Sequence, residues 1–149
     1  MMVSELALQV RRLIYDGAIE RSAIPSKSQL SATLAVPIEG VIRALVELTN
    51  AHQLVLQPEN GEVLMANPFS AVPTPFVVNV DAHSWYANCI WDAMGVAAMV
   101  GADALLDASC GCCGSAMRLA IPTECRDDDR RVAHFAIPAA HWWDDIVFN

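Results

Sequence analysis

The chain has 149 residues, enough for one well-buried core or two small units sharing an interface, and too few for a multidomain enzyme. Apolar residues make up 54% of it, yet stretches such as Gly95 to Gly101 stop far short of the roughly 18 to 20 residues a membrane span requires. A net charge of -8, with an acidic run at Asp127, Asp128 and Asp129, repels phosphate backbones and disfavours nucleic acid as a partner.

The first residues, Met1 to Glu5, carry no positive n-region followed by an apolar stretch, so no secretory signal is read and a cytoplasmic location is expected. Leu6, Val10, Leu13 and Ile14 recur at helical spacing and predict an amphipathic helix from Ser4 to about Arg21, with Gly17 weakening or bending its end. Pro25-Ser26 opens a second helix with Ser26 as N-cap and Leu30 and Leu34 facing inward. Pro37 suits the first turn of a third helix, which runs through Val41, Leu45 and Leu48. Leu54-Val55-Leu56, a turn at Pro58 to Gly61 and Val63-Leu64-Met65 then form a hairpin signature. Three helices and a hairpin describe a winged-helix-like unit over residues 1–66. Its third helix sets Glu39 and Glu47 against the single cation Arg43, which argues against a groove-reading transcriptional regulator.

Residues 67–75 contain Pro68, Pro73 and Pro75 and are expected to form an extended linker. In the second unit, residues 76–149, a strand is expected at Phe76 to Val80 and a helix from about Ser84 to Val100. Short strands are expected near Ala104 to Asp107, Met117 to Ile121 and Val132 to Ile137. The expected class is α+β, with a small mixed sheet packed on the helix that bears Cys89 and Asp92.

Five cysteines, three of them crowded into Cys110-Gly111-Cys112-Cys113, read poorly as a secreted disulfide framework and better as thiol or metal chemistry in a reducing compartment. Cys89 and Asp92 are three apart on the predicted helix, so a thiol and a carboxyl share one face. Near a helix N-terminus the backbone N–H groups favour an anion and are expected to lower the thiol pKa. For an arbitrary Cys-x-x-Asp the plainer reading, a small buried hydrophobe beside a solvated helix residue, prevails on spacing alone.

The segment Trp85-Tyr86-Ala87-Asn88-Cys89-Ile90-Trp91-Asp92-Ala93-Met94-Gly95 resembles the helix that bears the catalytic Cys and Asp of organomercurial (alkylmercury) lyases. Ser109-Cys110-Gly111-Cys112-Cys113-Gly114 and the block from His134 through Trp142-Trp143-Asp144-Asp145 are similar to two further motifs of that family. The resemblance implies a helical, winged-helix-like front region that serves packing and substrate enclosure. It also implies a reaction in which a thiolate captures the mercury of R–Hg, a second cysteine adds to the metal, and the Asp protonates the departing carbon. Cys89 would capture and Asp92 would protonate, with a hydrocarbon and protein-held Hg(II) as products. Soft thiolates bind soft metals strongly, and a second sulfur makes the carbon more easily protonated.

In the family the second catalytic cysteine lies in a strand shortly after the Trp-Trp-Asp-Asp block, a position this sequence, which runs to Asn149, does not contain. A naturally short chain, a truncated one, or another thiol taking over the role all fit, with Cys112, Cys113 and Cys125 as candidates for binding mercury. The resemblance makes Cys110 structural. Cys110 and Cys113 are half of a zinc-knuckle pattern that His134 or His141 would have to complete, so a structural zinc is not expected and no cofactor is required. Trp142 and Trp143 read as structural, forming core and pocket wall, and Asp144 and Asp145 as a cap or solvated turn. The implied partners are an organomercurial small molecule, and small thiols or a mercuric reductase that remove the product. The alternative is a non-enzymatic thiol-based binder or sensor of a soft metal.

Overall fold

The computed structural model describes residues 3–124 and 132–147. Helix α1 (Glu5–Arg21) starts where the Ser4 hydroxyl accepts the Ala7 N–H, satisfying one of the unpaired first-turn donors. Helix α2 (Lys27–Leu34) opens with a complete capping box. The Ser26 side chain accepts from the Gln29 N–H while the Gln29 side chain accepts from the Ser26 N–H. Pro37 caps α3 (Ile38–Asn50), whose inner face carries Val41, Ala44, Leu45 and Leu48. With Val10, Ile14 and Leu30 these side chains form one apolar core.

Among the described residues seven strands follow: β1 (Val55–Leu56), β2 (Val63–Ala66), β3 (Phe69–Ser70), β4 (Phe76–Val80), β5 (His83–Ala87), β6 (Ala104–Ser109) and β7 (Ala116–Ile121). They join in a single sheet of order β1-β2-β3-β5-β4-β6-β7, with α4 (Ile90–Val100) packed on it. The class is α+β, as the sequence indicates. Every pairing is antiparallel, however, so the expected mixed sheet is corrected to an antiparallel one. The second core lies between α4 and the sheet, built on Phe69, Val78, Trp85, Ala93, Val96 and Leu106.

Three further expectations change. The stretch from Ser84 is not helical until Ile90. Trp85 and Ala87 point into the core while Ser84 and Tyr86 face out, a period of two that pairs β5 with β4 along its whole length. The expected linker contains β3, which bonds to β2 on one side and to β5 on the other and buries Phe69. No strand forms at Val132 to Ile137. There the chain leads into a 3-10 turn (Ala139–Asp144), and Trp142 Nε1 bonds back to the Ile137 carbonyl at 2.9 Å. The two cores touch through α1: its Ala18 belongs to the second core, and the Ala18 carbonyl accepts the buried Trp85 indole N–H at 2.7 Å.

Candidate functional site

At the end of β5 the chain turns into α4 through Cys89, which is the N-cap rather than a residue inside the helix. Its backbone is extended, with φ -150° and ψ -178°, and its Sγ accepts the Asp92 backbone N–H at 3.4 Å. A sulfur thus occupies the place usually taken by the oxygen of Ser, Thr, Asp or Asn. Asp92, in the first turn, shares that end of the helix with the thiol, so the pairing read from the spacing holds in space.

Cys89, Asp92 and Asn88 line a cleft of about 420 Å³. Its apolar sides come from Phe76 at the start of β4, Trp91, and the C-terminal residues Phe135 and Trp142. Trp91 stands at the mouth, 58% exposed. Trp143 also lines the cleft and stacks on His52, just past α3, with ring centroids 4.4 Å apart and planes 8° apart. One wall is therefore built by the end of the chain leaning on the N-terminal half. Such a space, mostly apolar with two titratable groups on its floor, suits a small ligand with an organic part.

The electrostatics depart from the sequence expectation for the thiol. Burial pushes the Cys89 pKa up, and the neighbouring Asp92 charge pushes it further the same way. The N–H groups of Asp92 and Trp91 pull it down by less. The expected lowering is thus reversed, because desolvation outweighs the helix terminus. Burial also raises the Asp92 pKa, opposed by the Asn88 amide, which donates to Asp92 Oδ2 at 3.0 Å. Both groups hold a proton more readily than they would in water.

Asn88 is a site residue the sequence reading did not single out. Its Nδ2 also lies 3.0 Å from Asn67 Oδ1, in the turn between β2 and β3, and Asn67 lines the cleft as well. The Asn67 carbonyl in turn accepts the Tyr15 hydroxyl of α1 at 2.8 Å. The only sequence signal for Asn88 is its place next to Cys89.

The remaining candidates lie apart. Cys110, Cys112 and Cys113 sit in the β6–β7 turn, closed by Cys110 N–H to the Ser115 carbonyl at 2.9 Å and Gly114 N–H to the Cys110 carbonyl at 2.8 Å. That turn is at the same end of the sheet as Cys89 but at least two strands across, roughly 10 Å at ordinary strand spacing, and none of the three lines the cleft. Cys113 is exposed, and its pKa is lowered by the Ser115 hydroxyl 3.1 Å away, with further help from the Ser115 backbone and Cys110. Among the described residues no group of three His, Cys, Asp or Glu side chains is placed to hold a metal ion. His134 lines a smaller concavity that shares Phe76, Cys89, Phe135 and Trp142 with the cleft, and His141 pairs with Asp144 at 3.0 Å on the surface. Cys125 lies outside the described residues. Among those described, no helix is long and apolar enough to cross a membrane.

No curated protein matches the chain. Among solved structures, the crystal structure of the mercury-bound form of MerB2 is similar in fold, with a TM-score of 0.62 at 15% identity. The match covers 82% of this chain and 58% of that one, so this chain spans less than two thirds of its length. The family model for alkylmercury lyase, MerB, matches residues 69–148, more than half of the chain and the whole segment that carries Cys89, Asp92 and the tryptophan wall. The chain belongs to the alkylmercury lyase family.

Proposed function

We propose that the protein cleaves carbon–mercury bonds by protonolysis, with Cys89 capturing the metal and Asp92 carrying the proton. The observation that bears most weight is the placement of a thiol and a carboxyl on one helix end, both with raised pKa values, at the floor of a cleft walled by aromatic rings. Family membership supports the same chemistry.

The substrate is an organomercurial bound to a small thiol, R–Hg–SR′. The Cys89 sulfur bonds to mercury and R′S⁻ leaves, while the Cys89 proton passes to the Asp92 carboxylate. A small thiolate from solution then adds to mercury, raising electron density on the metal. Asp92 returns its proton to the carbon as the C–Hg bond breaks. The electron pair of that bond becomes the C–H bond, mercury stays Hg(II), and the products are RH and Cys89–S–Hg–SR′. A second small thiol, or an enzyme that reduces mercuric ion, then removes the metal. The apolar walls hold R and keep water away from the reacting bond. The active form carries one proton shared by Cys89 and Asp92, so activity falls at low pH as Asp92 protonates and at high pH as Cys89 loses its proton.

The test is hydrocarbon release from methylmercury or phenylmercury with excess small thiol. Methane or benzene should appear, and both Cys89→Ser and Asp92→Ala should abolish it. A second reading, thiol-based binding of a soft metal without bond cleavage, is favoured by the exposed turn thiols and the lowered pKa of Cys113. Tight uptake of Hg(II) by wild-type protein that releases no hydrocarbon would replace the first reading with that one.

A further inference from the structure

We infer that Asn88 is the positioning residue for Asp92, fixing which carboxyl oxygen carries the transferable proton and tying that carboxyl to the N-terminal half of the molecule. The inference rests on the lyase reading above and adds a residue to it.

An amide nitrogen has two protons. Those of Asn88 have two acceptors at 3.0 Å, Asn67 Oδ1 and Asp92 Oδ2, with the Pro68 and Phe69 carbonyls farther off at 3.4 and 3.5 Å. A flipped amide would point its oxygen at this group of acceptors, which favours the assigned orientation even though it leaves Asn88 Oδ1 buried without a partner. Because Asn88 donates to Oδ2, a proton on that oxygen would face another donor. The proton of a neutral Asp92 therefore resides on Oδ1, for which no hydrogen-bond partner is found among the described residues and which is left to serve the reaction. Asn67 supplies the anchor. Its side chain accepts from Asn88 while its backbone carbonyl is held by the Tyr15 hydroxyl. A chain of hydrogen bonds thus runs from α1 through the turn before β3 to the acid on α4.

The same donor favours the ionised carboxylate and opposes the effect of burial. The other titratable groups close to Asp92 are Cys89 beside it and Tyr15 on α1, the latter facing the Arg11 guanidinium. Without the Asn88 amide, Asp92 should ionise at a higher pH and turn away from its working orientation. The carboxylate would then be less able to take the thiol proton at neutral pH and less well aimed to return it.

The experiment uses the full chain with Asn88→Ala and Asn67→Ala. The Asp92 carboxyl titration is followed by carbon-13 NMR in ligand-free protein, and hydrocarbon release from methylmercury is measured across pH. Asn88→Ala should raise the Asp92 midpoint, move the acid limb of the rate profile upward with it, and lower kcat about tenfold or more, with KM and the binding of one methylmercury at Cys89 unchanged. Asn67→Ala, which frees the anchor but leaves the amide, should shift both in the same direction by less. An unmoved Asp92 midpoint in both variants, or in Asn67→Ala alone should Asn88→Ala not fold, overturns the inference. The titration needs no turnover, so a protein that releases no hydrocarbon would defeat the lyase reading while still deciding the role of Asn88.

Discussion

Asp92 costs the folded protein stability at neutral pH. Its pKa is raised by burial, so the folded state holds the proton to a higher pH than the unfolded chain does. The stabilising contribution is full below the unfolded value, near 3.9 for a model Asp, and is lost as pH rises through the higher folded value. Asp92→Asn, which keeps the shape and can still accept from Asn88, should therefore melt higher than wild type at pH 7, by about 2–4 °C per kcal/mol relieved. The gain should vanish as pH falls to about 4; thermal melts at several pH values would show it, and a lower melting temperature at pH 7 would refute the assignment. The Cys89–Asp92 pair was legible because a separation of three dictates proximity on any helix, even with Cys89 at its cap. The direction of the thiol shift was not, since spacing locates the helix terminus but says nothing of the aromatic rings that remove water from it. Asn88 was equally hidden, because its partners Asn67 and Pro68 are distant in sequence and come near only through β3.

At the scale of elements, Gly17 shows how tertiary contact overrides propensity. An alanine there would ordinarily strengthen a helix by up to about 1 kcal/mol. Yet a Cβ at Gly17 would meet the Ala23 carbonyl oxygen at 2.9 Å and Pro25 Cδ at 3.0 Å, where the chain folds back after α1. Gly17→Ala should thus destabilise the protein, by about 1–3 kcal/mol, as overpacking does; chemical denaturation would measure the loss, and a stabilised variant would contradict the packing. The sequence predicts that this glycine weakens or bends the helix end, whereas the structure gives it a close approach of the chain that follows. The starts of helices α1 to α3 are legible in the sequence because Ser4, Ser26 and Pro37 are local punctuation. The strand β5 was absorbed into a helix because Trp85-Tyr86-Ala87 suits either period, and only its pairing with β4 decides. The segment from Val132 failed the other way. Its apolar run suits a strand on composition, but it lies instead beside Cys89 and Trp91, distant in sequence, where Phe135 helps to wall the cleft.

For the whole molecule, one sheet runs through both halves, and the Trp85–Ala18 hydrogen bond joins them inside the core. The halves should accordingly unfold together in a single calorimetric transition whose van't Hoff and calorimetric enthalpies agree. Two resolved transitions would show that residues 1–66 and the remainder are independent units. The sequence predicts a division near residues 67–75 from its change in pattern, but β3, which joins the sheet across that stretch, is only two residues long and leaves no signal of its own. The cleft wall formed by Trp142 and Trp143 has a consequence for biosynthesis. As the protein is made from its N-terminus, Cys89 and Asp92 exist before the aromatic segment that encloses them and before Trp143 can settle on His52. In that interval the thiol is more open to water and to any soft metal in the cell. Exposure to mercuric salts should accordingly inactivate chains caught during synthesis more than mature ones, and pulse-labelled protein compared with pre-formed protein would show the difference.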